Sequence, residues 1–437
     1  MTDHLTHLLQ KLDGPAARYA ELDRYYTGTQ ALAFLSPEAK TALGSRFGRM
    51  ASNIPRLSVT ALAERLRITG FSDTGLWTDW IRNDLDQLSG TAHREALLYG
   101  DCPVIVWADR FGRPKVTVES AKQVAVEVDP GTRQTLAAVK RWETQTTTEA
   151  VLYLPDEIVR YRANSTGATT HGFKVVETLA NPLGVPPVVQ IRNADRVLAE
   201  RGCSEIDDLM PLVDALNKCL ADMMVTSEYV GRPRRWATGI ELTEEPVLDD
   251  EGNETGETLE VNPIPEGNRA MISENHEAKF GQLPSADLAG YEASVRVILG
   301  QIMAVSTLPA HYVGVFTDQP ASADALRAAE ASLTARAEAR QATFGRAWEQ
   351  VARLMTAVRD GVDPQQVDVR VQWADAATRS VAQEADAVVK LHQAGLLPAS
   401  YALSKLGYSD DEITKIRAAR RAEALDAQAV DLGRLVN

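Results

Sequence analysis

Apolar positions along this chain change their spacing as it proceeds, and the changes divide it into helical, strand and again helical territory. The first hundred residues show three-to-four spacing broken by clear stops. Ser36 with Pro37 predicts an N-cap and first turn, with a stop at Gly44. A helix is predicted over Leu57 to Ile68, closed by Gly70 and Phe71, and the next carries Leu76, Trp77, Trp80, Ile81, Leu85 and Leu88. Gly90 is expected to separate it from a short helix ending near Tyr99. From Cys102 the period becomes two. PVIVWADRFGRPKVTV and VAVEVDPGTRQTLAAVKRW each read as a hairpin, the second turning at Asp129, Pro130 and Gly131, with Val124, Val126 and Val128 on the face opposite Ala125 and Glu127. Further strands are predicted at Val151 to Leu154 and Phe173 to Val176, making Cys102 to Ile191 a mostly antiparallel β-region.

Helical spacing returns at Ser204, whose SEID supplies a cap and an acidic first turn, and runs through Leu209, Val213, Leu216, Leu220, Met223 and Tyr229. Pro211 either kinks that helix or marks its true start. Between Gly231 and Pro284 the density of acidic residues, Gly and Pro predicts a protruding tip of loops with a short strand pair. A second helix opens at Ser285, sets Leu288, Tyr291, Val295, Ile298, Leu299 and Ile302 on one stripe, and is stopped by Pro309. After the linker STLPAHYVGVFTDQPA an unbroken helical pattern runs from Ser322 to Arg359. Its stripe holds Leu326, Leu333, Ala337, Phe344, Trp348, Val351, Met355 and Val358. At 1.5 Å per residue such a helix spans roughly 57 Å. It must bury its stripe against neighbours, and copies of the same chain are candidates. VDVRVQW from Val367 reads as a strand; from Val381 the chain is helical, with a break at Pro398 and a cap at Ser409. The fold class is α+β.

At 437 residues and 44% apolar content the chain can bury a sizeable core. A net charge of −14 argues against tight, salt-dependent duplex binding, which needs clustered Lys and Arg. The three cysteines, Cys102, Cys203 and Cys219, have no CxxC spacing, so no disulfide framework or cysteine zinc site is indicated and a reducing cytoplasm fits. No apolar run reaches the length of a bilayer span, and MTDHLTHLLQKLDG lacks the order of a signal peptide. The expectation is a soluble protein with no membrane partner.

Catalytic spacing is absent: no GxxxxGK[ST], HExxH, GxSxG or GxGxxG occurs, and no two of the seven histidines stand at i and i+4 on a helix. No catalytic residue, metal site or cofactor is predicted. Trp77 and Trp80 sit at core spacing beside Ile81. Arg232, Arg234 and Arg235 form a solvated turn or a basic collar. The acidic stretch with Glu244, Glu245, Asp249, Asp250 and Glu251 is a solvated loop or a docking surface. Gly345 marks a kink, a close helix crossing or a tolerated surface glycine.

The order of these segments resembles that of the portal proteins of tailed bacteriophages. The likeness runs from YYTG at Tyr25 through NIPRLSVTALAERLRITGF at Asn53 and SEIDDLMPLVDALNKCLADMM at Ser204 to AGLLPASYALSKLGYSDDEI at Ala394. It is strongest in IMAVSTLPAHYVGVFTDQPASADALRAAEASLTARAEARQATFGRAWEQV from Ile302. The resemblance implies a wing over residues 1–195, stem helices over 196–230 and 285–305, a clip over 231–284, and a tunnel loop over 306–321. It further implies a long kinked helix with a wing strand over 322–380, and a helical crown over 381–437.

It implies that Thr307, Leu308, Pro309, Ala310, His311, Tyr312, Val313, Gly314, Val315, Phe316, Thr317, Asp318 and Gln319 face double-stranded DNA in a channel. The basic collar and the acidic docking residues would then belong to the clip, and the kink to Gly345. The implied assembly is a dodecameric homo-oligomer at one capsid vertex, formed in the host cytoplasm and carried in the virion. Its partners would be the terminase large subunit, major capsid and scaffold proteins, and head-tail connector or adaptor proteins. Since the loop holds no Lys or Arg, its DNA contact is expected to be weakly salt dependent. Two other readings stand beside this one. One is a monomeric helical adaptor or scaffold of the virion. The other is an enzyme with a dispersed site among Asp101, Asp109, Glu143 and His171.

Overall fold

In the computed structural model, which describes residues 2–34, 51–194, 196–197, 199, 201–231, 235–239, 243–248, 254–261, 276–282, 288–315, 322–377, 381–408 and 412–423, the chain divides into two units. One comprises 1–318 with 335–374, the other 319–334 with 375–437. Ser36, Pro37, Gly44 and Ser409 lie outside the described residues.

The first unit is built on a β-layer covered on both sides. Leu5, Leu8, Leu9 and Leu12 recur at i, i+3, i+4 and i+7, so helix α1 (Thr2–Asp13) presents one leucine face. That face lies on a five-stranded antiparallel sheet in the sequential order β4 (Val124–Val128), β5 (Thr135–Glu143), β6 (Thr148–Tyr153), β7 (Glu157–Ala163) and β8 (Lys174–Ala180). Ala125, Ala137, Val139, Ala150, Leu152, Val159 and Tyr161 meet the leucines. The alternate residues Val124, Val126, Ala138, Tyr153 and Ile158 point the other way, to Ile105 and Val188. Those two belong to a three-stranded sheet ordered β3 (Pro114–Val118), β2 (Asp101–Ala108), β9 (Val188–Arg192). At about 1.5–3 kcal/mol per fully buried leucine, α1 is a structural part of this layer. Both predicted hairpins form, as β2–β3 and β4–β5.

Helices α2 (Ala16–Thr27), α3 (Ile54–Ala63), α4 (Gly75–Arg82) and α5 (Leu85–Tyr99) adjoin this layer, and here the sequence reading is corrected in three places. The helix expected to run to Ile68 stops at Ala63, because Ile68–Phe71 is strand β1, pairing antiparallel with β14 (Val371–Trp373). The helix expected over Leu76 to Leu88 is two helices. Buried Asn83 ends the first: its amide donates to the Asp79 and Pro114 carbonyls, each at 2.9 Å, and its Oδ1 accepts from Val116 N at 3.0 Å. Asp84 then takes φ 56°, and α5 begins. Gly90, expected as a separator, lies inside α5 with open space where a side chain would be.

The remaining elements of this unit are α6 (Met210–Gly231), β10 (Arg235–Thr238), β11 (Thr243–Leu248), β12 (Glu254–Val261), β13 (Lys279–Gln282) and α7 (Ala289–Ser306). Helix α8 (Ala323–Asp360) follows, one residue from each predicted boundary. Of the strand predicted from Val367, only β14 forms. In the second unit α9 (Val381–Gln393) and α10 (Ala399–Lys405) pack together, with Pro398 as the N-cap of α10, and a further helix spans 412–423.

Within the first unit the stripe of α8 is buried at Phe344, Trp348, Val351 and Met355. Trp348 meets Trp80 edge-to-face at 5.0 Å between ring centroids, and Trp80 meets Phe71 at 5.1 Å. Trp80 is fully buried, as its spacing predicts, and Trp77 stacks beside it at 6.2 Å.

Candidate functional site

The segment singled out in the sequence joins α7 to α8, and its first half is a built turn. Ser306, the last residue of α7, folds its hydroxyl back onto the Ile302 carbonyl at 2.6 Å and accepts from Leu308 N at 3.3 Å. Thr307 takes a left-handed φ of 59°, which ends α7 two residues ahead of Pro309. Ala310–Val313 form one 3-10 turn, with Tyr312 N donating to the Pro309 carbonyl and Val315 N closing on the Ala310 carbonyl, each at 3.0 Å. Gly314 sits at φ 77°, a conformation that favours glycine. Leu308 and Pro309 are buried and root the turn in the protein, so their side chains do not face outward. Thr307, Ala310, His311, Tyr312, Val313 and Val315 are half-buried, and Gly314 is exposed. His311 and Tyr312 stack at 4.9 Å. Phe316, Thr317, Asp318 and Gln319 lie outside the described residues.

A cation reaches this turn from elsewhere in the chain: Arg65 Nη2 lies 3.5 Å from the Tyr312 hydroxyl. Sequence reasoning missed it, because the two residues are 247 positions apart and nothing local marks Arg65. The Arg65 carbonyl in turn accepts from Gln341 Nε2 of α8 at 3.0 Å, and the same amide donates to Ala374 O at 3.1 Å.

Two helices lead to and from the tip. Helix α6 begins at Met210, with Pro211 in its first turn, so the proline marks a start and the helix expected from Ser204 is shortened. Residues 205–209 are turns, in which Ser204 N donates to Asp207 Oδ2 at 3.2 Å. Helices α6 and α7 pack on each other, Thr226 donating to the Tyr291 hydroxyl at 3.3 Å. Met224, Val297 and Val305 remain exposed on the pair.

Where one strand pair was expected at the tip, two form: β10 with β13 and β11 with β12. Trp236 stands opposite Gly281, and its ring occupies the space a Cβ there would need. Of the basic trio, Arg235 opens β10 and pairs with Gln282, while Arg232 and Arg234 lie outside the described residues. Glu244 and Glu245 lie in β11, opposite Glu260 and Leu259; Asp249, Asp250 and Glu251 lie outside the described residues.

Gly345 lies inside the continuous helix α8, and a strand crosses it: a Cβ there would stand 3.1 Å from Val371 Cγ1 and 3.2 Å from Trp373 Nε1. The close crossing is with β14, where the sequence reading allowed for another helix.

The residues of the enzyme reading do not converge. Asp101 and Asp109 flank opposite ends of β2, about 26 Å apart at 3.3 Å per residue. Asp101 is buried against Arg192 at 3.1 Å, burial raising its pKa while the guanidinium opposes. Asp109 holds the β2–β3 turn by accepting from Phe111 N and Arg113 N, which lowers its pKa. Glu143 ends β5 and His171 lies in the loop before β8; both are exposed. Among the described residues no three His, Cys, Asp or Glu side chains gather as a metal site, and no helix is long and apolar enough to cross a membrane.

Comparison with known proteins covers most of the chain. The family model for phage portal proteins of the SPP1 Gp6-like type matches residues 14–425. The portal protein of Mycobacterium phage L5 is 31% identical over 389 residues, spanning 83% of this chain and 77% of that protein. The portal protein of Mycobacterium phage D29 is 31% identical over 391 residues with the same coverage. Among solved structures, a chain from the neck of an empty gene transfer agent particle with C6 symmetry is similar at 15% identity and a TM-score of 0.49, covering 90% of this chain and 93% of that one. A chain from the neck of the native particle with C12 symmetry is similar at 16% identity and a TM-score of 0.46, covering 88% and 98%. With the matched region running from the end of α1 to the helix beyond α10, the chain belongs to the SPP1 Gp6-like family of phage portal proteins.

Proposed function

We propose that the chain assembles into a dodecameric ring at one vertex of a phage capsid, through which double-stranded DNA enters during packaging and leaves during ejection. Family membership over residues 14–425 carries this reading, because it takes in the α6–α7 pair, the tip, the turn after α7 and the second unit together. The exposed Met224, Val297 and Val305 support it: apolar side chains on a packed helix pair are surface that neighbouring copies would cover. In this reading α6 and α7 are the stem, β10–β13 the clip, 306–321 the tunnel loop and 381–437 the crown. The clip receives the terminase large subunit and later the connector proteins, while major capsid and scaffold proteins surround the ring. The ring forms in the host cytoplasm and stays in the virion. It performs no chemistry of its own; the terminase supplies the energy.

The test is the native mass of the purified full chain, with images of the same sample. Rings of about twelve subunits with a central hole are expected. A chain that stays monomeric both alone and when co-expressed with capsid and scaffold proteins would favour the adaptor reading. If the ring binds DNA through the loop, the loop's share of the salt slope is expected to be near zero. A steep fall of affinity between 50 and 200 mM salt, of the ~10³-fold kind that several phosphate contacts give, removed by substitutions within 307–319, would refute the weak salt dependence expected of the loop.

A further inference from the structure

Glu205 was expected in the acidic first turn of a helix opened by Ser204, yet it lies five residues ahead of α6 with its side chain 3% exposed. Two arginines one turn apart on α8 converge on it. Arg336 Nη2 stands 2.8 Å from Oε2; Arg340 stands 2.8 Å from Oε1 through Nη2 and 3.0 Å through Nε. Asn193, itself buried, adds its amide to Oε1 at 3.0 Å, and Glu205 N donates to the Leu97 carbonyl of α5 at 2.8 Å. The carboxylate is therefore held by Arg336 and Arg340 of α8 and by Asn193 just past β9, while its backbone is tied to α5.

Arg336 has a second partner: its Nη1 donates to the Val305 carbonyl at 3.2 Å. Val305 lies in the last turn of α7, where carbonyls lack helical partners and the helix dipole favours a cation. The next residues are Ser306 and Thr307, whose hydroxyl bond and left-handed φ set the direction of the turn. Arg336 thus joins a buried carboxylate on the path into α6 to the carbonyl end of α7.

We propose that Glu205 and Arg336 are the positioning residues of the turn 307–315, with Glu205 fixing the guanidinium in the one orientation that also caps Val305. Buried charge clusters add little net stability over apolar residues of the same volume, but they impose a defined geometry. Arg340 shares the carboxylate and makes no bond to Val305, so it serves the cluster without serving the turn directly. The proposal rests on the portal reading only for its consequence, that the loop's position in the channel is set from the stem and the long helix.

Hydrogen–deuterium exchange of the full-length protein tests it without DNA. The amides of Leu308, Tyr312, Gly314 and Val315 are bonded within the turn. In Arg336→Met they are expected to exchange at least about tenfold faster, while β5–β7 amides keep their rates. Glu205→Gln should do the same, and Arg340→Met should change them less than Arg336→Met. Unchanged exchange over 303–315 in Arg336→Met, or equal acceleration there and in the β-sheet, overturns the proposal. If Glu205→Gln does not fold, the comparison of the two arginine variants decides alone. DNA retention by capsids carrying Arg336→Met then reads the portal function separately: altered exchange with normal retention keeps the positioning role and removes the channel role of the loop.

Discussion

Gly202→Ala is expected to cost more than about 3 kcal/mol of stability, or to leave no folded protein, and Gly100→Ala to do the same. The two glycines cross backbone to backbone where α5 turns into β2 and the chain leaves β9 for α6. A Cβ on Gly202 would fall on the Gly100 carbonyl, and one on Gly100 would fall on the Gly202 carbonyl. Neither segment can step aside. The Gly100 carbonyl accepts from Asn193 N at 2.7 Å, Gly202 N donates to Asp101 Oδ2 at 3.1 Å, and Arg192 holds that aspartate in turn. Gly100 also sits at φ 88°, so alanine there adds left-handed strain to the clash. Gly112, at φ 75° with open space around it, is the control: Gly112→Ala pays only the strain, about 1–2 kcal/mol. Urea unfolding of the three variants measures the difference. A Gly202→Ala protein within 1 kcal/mol of the parent would show that the crossing is looser than described.

That crossing was invisible in the sequence, and the reason is general to this chain. Features carried by spacing were legible: the alternation of Val124 to Val128, the stripe of Phe344, Trp348, Val351 and Met355, and the limits of α8. The leucines of α1 were equally legible at i, i+3, i+4 and i+7. Features set by a distant partner were not. Ile68 to Phe71 reads as the end of a helix until β14 is beside it, and Asn83 reads as one polar residue in a helix until Pro114 and Val116 claim its side chain. The candidate site divides in the same way. Its position and its lack of lysine and arginine came from the segment itself, whereas Arg65, Glu205 and Arg336 came only with the fold.

The stability of this protein is expected to fall as pH drops from about 6.5 toward 3, and His93 is the named cause. Its ring is fully buried, stacked on Phe344 at 5.6 Å and close to Trp348 and Trp373, and its Nε2 accepts from Trp348 Nε1 at 2.8 Å. Burial drives its pKa down to about 3, against 6.5 for an exposed histidine. The unfolded chain therefore takes up a proton below pH 6.5 that the folded chain refuses until about pH 3. The contribution is fully present above 6.5 and is lost through that window, at no more than about 1.4 kcal/mol per pH unit. Between pH 6.5 and 4 that is at most about 3 kcal/mol. Urea midpoints of the parent and of His93→Gln, at one protein concentration, should converge as pH falls, because glutamine does not titrate while the remaining carboxylates act on both proteins alike. Curves that stay parallel from pH 7 to 4 would remove His93 as the cause. Trp348→Phe keeps most of the buried ring and leaves Nε2 without its donor, at a cost of about 1–3 kcal/mol. Trp348→Ala should cost about 3–5 kcal/mol, since it also opens a cavity beside Trp80, where α8 meets α4 and β1.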